Sequence, residues 1–315
     1  MPEKTEVIYI AGLSRVGSTL LDRILSCHKN IVGLGEIYEI IRPDWNRIQE
    51  RRTCTCGLTV EDCPFWGKAQ MAMVKQSDTD ISHRYQIILD NFLKTYGPGK
   101  ILLDSSKLAE GIEILEKLQN KRKLKIIYLT RDVRAWTISR IDNFYRYQKD
   151  FSKNGFYTQN LIKNHGKLLW PIKWAIPFLA NKPIYYFLSW YYQNKKLAKQ
   201  LNKLNIDYIQ IGYDELTLYP EKILNIISEF LQINFDKKML TMQQPSSHIL
   251  SGNPLRHDKS RLNQIHYDNR WFKRNEWLIP SLIFPSIMKY NNDIVYSNTH
   301  DSIFESVKDL PETTS

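Results

Sequence analysis

Cysteine is scarce, with four in 315 residues. A chain this long can bury a core of its own, and so few thiols exclude a secreted disulfide scaffold. No apolar run reaches the ~18 residues that a membrane span requires. The nearest approach, 168–192, is broken by Lys173, Asn181, Lys182 and three prolines. No secretory signal is read at the start, because Met1 to Glu6 is polar and leads straight into an apolar run; the expectation is a cytoplasmic protein. There is no internal repeat, no low-complexity linker and no break in composition to mark a second domain. Acidic residues are outnumbered, 33 against 44 basic, for a net charge of +11. The basic residues are spread along the chain and form no tail, which favours an anionic ligand over a nucleic-acid arm.

What is there reads as alternating strands and helices. Val7 to Ile10 is a β-branched and aromatic strand, followed by a loop with two glycines and a helical pattern at Leu20, Leu21, Ile24 and Leu25. Ile31 to Glu36 is a short strand ending in a carboxylate, and residues 81–96 have helical periodicity. Lys100 to Asp104, Lys125 to Thr130 and Tyr208 to Ile211 are further strands, with helices over 108–119, from Val133, over 189–204 and over 220–231. Such alternation specifies a parallel sheet covered on both faces. Ser14 and Arg15, Ser105 to Lys107, and Arg131 and Asp132 all fall just past the C-terminal ends of strands, the edge where open parallel sheets bind ligands.

The spacing Gly12-x-x-x-x-Gly17-x-Thr19 is that of a phosphate-binding P-loop, with Ser18 where an NTPase carries its lysine. That lysine serves β- and γ-phosphates. Its absence argues for a nucleotide that ends differently. A strand, glycine loop and helix N-terminus present amides and a positive dipole to an anion, and a cation stands three residues earlier, at Arg15. Read alone, the same stretch is also an ordinary βα turn.

Four separated segments together resemble the sulfotransferases that use 3′-phosphoadenosine 5′-phosphosulfate (PAPS), in particular the bacterial branch related to tyrosylprotein sulfotransferases. Arg15 to Leu21 is similar to the family's 5′-phosphosulfate loop. Tyr128 to Ala135, continuing to Ser139, is similar to its 3′-phosphate motif, with arginine and serine eight apart. Gly212-Tyr213-Asp214-Glu215-Leu216 with Pro220 is similar to a further family stretch, and Gly252 to Arg256 to a loop of bacterial members. The resemblance implies an α/β, P-loop-like three-layer fold with a central parallel sheet flanked by helices, plus a helical cap. It implies a single domain over 1–300, with a Cys-containing insertion at 50–66, an aromatic-rich cap at 140–192, and a tail at 301–315.

It also implies PAPS as co-substrate, adenosine 3′,5′-bisphosphate as product, and no metal. The donor-binding residues would be Arg15, Val16, Gly17, Ser18, Thr19, Leu20, Arg131, Ser139 and Arg256. Val16 stands where the family commonly has serine, so a side-chain hydrogen bond is lost or replaced there. Arg15 and Lys107 would stabilise charge on the leaving phosphate. Glu36, 21 residues after Arg15, would be the general base. His28 reads as structural, and His248 and His257 have no support as bases. Arg134 reads as a solvated helix residue. A nucleotide kinase or NTPase remains the alternative, with Asp104 as its magnesium carboxylate; a basic membrane-surface or nucleic-acid binder is a second.

Cys54, Cys56 and Cys63 lie close together, but the Cys-x-x-Cys spacing of a metal site is missing and a fourth ligand is not evident. A local role in side-chain contacts, or a redox-labile disulfide, is the expected use, with a metal as the alternative. The aromatic stretch 168–192 is expected to be a cap on the sheet, with an apolar acceptor pocket or peripheral membrane contact as the other uses. The acceptor would be a small molecule, a carbohydrate or a lipid.

Overall fold

Strands without polar interruption need cover on both faces, and side chains that alternate across a strand build two cores. In the computed structural model, which describes residues 5–42, 53–75, 80–118, 124–150, 182–204, 206–243, 245–252 and 264–299, five parallel strands do this. They are β1 (Glu6–Gly12), β2 (Ile31–Gly35), β3 (Ile101–Lys107), β4 (Leu124–Thr130) and β5 (Tyr208–Gly212), in the order β2-β3-β1-β4-β5. Ile8 and Ile10 face one layer with Leu21, Ile24, Trp136 and Trp190, while Val7, Tyr9 and Ala11 face the other with Ile88, Phe92 and Ile112. The expected three-layer α/β architecture is therefore present.

The first strand lies at the centre, hydrogen-bonded to β3 on one side and β4 on the other. Its successor in sequence pairs with β3, at the sheet's edge, so the chain changes direction around β1. That switch point opens a crevice at the strand ends. The loop after β1 leads into helix α1 (Ser18–Leu25). Helix α1 lies close against β2: a Cβ on Gly33 would sit 2.3 Å from both Asp22 Oδ1 and Ser26 Oγ, so only glycine fits.

Two boundaries differ from the sequence reading. Strand β3 runs on to Lys107 rather than ending at Asp104. Its polar residues stay in a buried strand because they are satisfied: Ser105 Oγ donates to Asp22 Oδ2 at 2.7 Å, and the Ser106 amide donates to Asp104 Oδ1 at 2.8 Å. The helix expected from 189 begins at Pro183 and ends at Lys203, with proline's fixed φ in its first turn. Of the aromatic stretch, residues 168–181 lie outside the described residues. In the rest, Tyr185, Tyr186, Phe187 and Trp190 are buried in the core, so those side chains cap the sheet and offer nothing to a membrane surface. Residues 253–256 of the bacterial-type loop, and the tail at 301–315, also lie outside the described residues. No helix among the described residues is long and apolar enough to cross a membrane.

The same crowding leaves acids in the interior. Burial pushes the Asp22 carboxyl up from 3.8 to about 7, against hydrogen bonds from Ser105 and Ser26 that favour its ionised form. Burial likewise moves Asp104 up to about 6. Between the unfolded and folded values the native chain holds a proton that the unfolded chain has released. Stability contributed by Asp22 is therefore present in acid and declines as pH rises toward 7, by about 1.4 kcal/mol per pH unit at its steepest. In urea titrations at pH 5 and pH 8, Asp22→Asn should lose less stability over that interval than the natural chain. Equal losses would show that Asp22 is ionised throughout.

Candidate active site

The loop after β1 is held from below and from both sides. Gly17 adopts φ 99°, and a Cβ there would meet the Tyr213 ring at 2.3 Å. Glycine is needed both for the left-handed conformation and for that approach. The amides of Ser18 and Thr19 open α1, where helical geometry gives them no acceptor within the helix. Val16 turns its side chain into the core, 1% exposed, beside Gly12. Valine at this position thus anchors the loop, and only its backbone remains for a ligand.

The helix Val133–Asp150 follows β4 and supplies the other wall. Trp136 Nε1 donates to Ser14 O at 2.8 Å, and Arg15 Nε donates to Ser139 Oγ at 3.2 Å. Arg131, buried at the end of β4, donates from Nη1 to Arg15 O at 3.0 Å. The two segments read as separate phosphate motifs, over 100 residues apart in sequence, are therefore in direct contact.

Arg131 has three further neighbours that sequence spacing did not reveal. Its guanidinium lies 4.7 Å from the Tyr213 ring centroid, and Nη2 donates to Asp268 Oδ2 at 2.6 Å. Trp190 Nε1 donates to its carbonyl at 3.0 Å. Burial alone would raise the Asp268 carboxyl, but Arg270 and Arg131 outweigh it and hold the group well below the usual carboxylate range. In the sequence, Asp268 stands out only by its place in the basic stretch that ends at Arg270 and Trp271. Arg131 Nε is buried with no partner among the described residues. Arg15 is the mirror case: burial, then the like charges of Arg131, Arg146, Arg140 and Arg270, bring its guanidinium down to about 10. A concentration of positive charge at one sheet edge suits an anion.

Arg134 departs from its expected role. It forms a two-pronged pair with the buried Asp132, Nε–Oδ1 at 2.9 Å and Nη2–Oδ2 at 2.7 Å, and lies 4.4 Å from the Trp271 ring centroid. Asp132 is thus partnered by Arg134, Asn291 and Tyr296, not by Arg131. The Gly212 to Leu216 segment is a fastener: Asp214 Oδ2 accepts from the Asp132 amide at 2.8 Å, and Glu215 accepts from Asn298 and Thr299.

On the opposite wall, Glu36 precedes the short helix α2 (Ile37–Ile41), and Lys107 closes β3. Lys107 Nζ donates to Glu36 Oε1 and, at 3.2 Å, to Ser105 O. Both side chains are largely buried. Glu36 Oε1 and Thr19 Oγ1 lie 3.7 and 3.8 Å from where a Gly252 side chain would begin, so the carboxylate stands beside the start of α1. Among the described residues, four non-glycine residues take positive φ, and two of them are Arg15 and Lys107. Strained backbone of this kind collects at functional sites. Arg256 and His257 lie outside the described residues. His28 bonds Asn234 O and the Asn30 amide, a structural role, and His248 lies with the cysteines. Asp104, the carboxylate a nucleotide kinase would need for magnesium, is fully buried and bonded by Tyr85 and Ser106.

Comparison with known proteins fits this geometry. Residues 7–167 match the profile of the Sulfotransferase family. Among solved structures, the fold is similar to the sulfotransferase domain from the curacin biosynthetic pathway, with a TM-score of 0.50 at 18% identity, over 90% of this chain and 98% of that one. Lesser likenesses are to the sulfotransferase domain of the Synechococcus PCC 7002 olefin synthase (TM-score 0.45, 18% identity, 98% of each chain). Another is to sulfotransferase STF9 from Mycobacterium avium (TM-score 0.46, 15% identity, 92% and 77%). No curated protein matches. Matched over more than half its length by that profile, and sharing its fold with a solved sulfotransferase domain, the chain belongs to the sulfotransferase family and is a transferase of sulfuryl groups.

Proposed function

We propose that the protein moves the sulfuryl group of PAPS to a hydroxyl, or amine, of a small-molecule, carbohydrate or lipid acceptor, with Glu36 as general base. The observation that carries the reading is the contact between the two phosphate motifs: Arg15 reaches Ser139, and Arg131 reaches the Arg15 carbonyl. PAPS has a 3′-phosphate and a 5′-phosphosulfate and no γ-phosphate. A loop without the P-loop lysine, beside a second arginine site, suits that charge distribution.

The residues present fit such a donor. Arg131 keeps a buried Nε without a partner among the described residues. Arg15 is crowded by like charge. An anion between them would relieve both. The loop amides from Val16 to Leu20, with the Ser18 and Thr19 hydroxyls, would surround the 5′-phosphate, and Arg131 and Ser139 the 3′-phosphate. When bound, PAPS supplies an activated sulfuryl group whose bond to phosphate breaks as the acceptor's bond to sulfur forms.

The chain's own residues then have two tasks. Glu36 takes the acceptor proton at Oε1 or Oε2; its hydrogen bond from Lys107 keeps the side chain aimed. As Glu36 becomes neutral, the Lys107 ammonium loses its counter-charge and turns toward the phosphate that is gaining one, where Arg15 also stands. Metal plays no part in this scheme, and the likeness to the tyrosylprotein branch enters it only through the position of Glu36.

Calorimetry with adenosine 3′,5′-bisphosphate tests the donor. Binding should be tight and unchanged by removing Mg²⁺, and Arg131→Ala should weaken it by roughly tenfold or more, the loss of a charge-assisted hydrogen bond. Absence of binding, or a requirement for Mg²⁺, contradicts the reading. With an acceptor in hand, Glu36→Gln should abolish turnover while leaving that affinity within about twofold. Near-normal turnover in Glu36→Gln removes it from the mechanism.

A further inference from the structure

Three cysteines that looked ill-spaced for a metal meet a histidine from far along the chain. Cys54 and Cys56 lie in a tight loop, in which the Gly57 amide donates to Cys54 O and the Cys54 amide to Leu58 O, each at 2.8 Å. Cys63 stands before helix α3 (Trp66–Lys75). His248 arrives on the segment 245–252, which bonds along β2. We propose that Cys54, Cys56, Cys63 and His248 form a structural zinc site.

The spacings are those of a tetrahedron around one ion. With Zn–S near 2.3 Å and Zn–N near 2.0 Å, two sulfurs stand about 3.8 Å apart, and a sulfur and a nitrogen about 3.5 Å. Cys54 Sγ and Cys63 Sγ are 3.7 Å apart, and Cys56 Sγ and Cys63 Sγ 3.8 Å. His248 Nδ1 is 3.3 Å from Cys63 Sγ and 3.8 Å from Cys54 Sγ. All four ligand atoms fall within 4.8 Å of one another. The sulfurs are far beyond the ~2.05 Å of a disulfide, and all three thiols are unbridged. Three soft thiolates and an imidazole select zinc over magnesium or calcium.

Four protein ligands close the coordination sphere, so the ion would hold structure and leave catalysis elsewhere. What it would hold is specific. The Thr55 amide donates to Ile249 O, the Ile249 amide to Thr55 Oγ1, and Trp66 Nε1 to His248 O. The His248 amide donates to Gly33 O and the Gly33 amide to Ser246 O, so the segment joins β2. Four residues after His248, Gly252 stands beside Glu36 and Thr19. The zinc knot would fix the wall next to the candidate base. Binding exchanges three thiol protons for the ion and needs no oxidant.

The test is elemental analysis of the full chain, purified without a histidine tag and without chelator. One zinc per chain is expected. Replacing it with Co²⁺ should give near-ultraviolet sulfur-to-cobalt charge transfer and the intense visible bands of a tetrahedral site. Stripping the natural chain with a chelator should lower its thermal midpoint by roughly 5 °C or more, reversibly on adding zinc. His248→Ala should lose the zinc, and His248→Cys should retain it. A chain without zinc, and without cobalt bands after reconstitution, overturns the proposal. So does an intact mass short by two hydrogens in native metal-free protein, which would mean a disulfide. Zinc that persists in both Cys56→Ala and His248→Ala would be bound elsewhere and would equally overturn it.

Discussion

The Arg131 guanidinium is buried at the end of β4, and burying a cation is costly unless its surroundings compensate. Here they do so in four directions. One amine donates to the Arg15 carbonyl and another to Asp268, the face lies over Tyr213, and the backbone is fastened by Trp190. Each contact belongs to a different stretch of chain. The Arg15 contact fixes the phosphate loop, Tyr213 also closes on Gly17, and Asp268 draws in the basic tract that includes Arg270. The loop after β1, Tyr213 and the segment carrying Asp268 therefore converge on one buried cation.

The neighbouring Asp132 does the complementary work. Its side chain gathers Arg134, Asn291 and Tyr296, and its amide is held by Asp214. Glu215 in turn ties down residues 298 and 299. These buried carboxylates hold the helix Pro285–Val295 and residues 298 and 299 against the sheet edge. Across the crevice, the Glu36–Lys107 pair sits between the phosphate loop and the 245–252 segment. One wall thus carries the arginines and the other the candidate base.

Much of this was legible in the sequence. Strand alternation, the glycine loop and the polar residues after strands gave the sheet and the edge where the candidate residues gather, because parallel βα units repeat a local pattern. Arg15 stands out beside the glycine loop and Ser139 through the resemblance to a 3′-phosphate motif, though their hydrogen bond does not. What spacing missed came from long-range contacts. Tyr213, Asp268 and His248 reach their partners only through the fold. Arg134 read as solvated because helical position says nothing of Asp132 folding back to meet it. Strand β3 read as ending at Asp104 because its serines are polar, and only their buried partners explain why it continues.

Under the proposed function, two arginine sites at one sheet edge hold the two phosphate ends of a single nucleotide. A crystal structure with adenosine 3′,5′-bisphosphate tests it most directly. The 5′-phosphate is expected on the amides of residues 16–20 beside Arg15, and the 3′-phosphate on Arg131 and Ser139. A nucleotide bound away from Arg131, or one whose phosphates avoid the loop after β1, would contradict it.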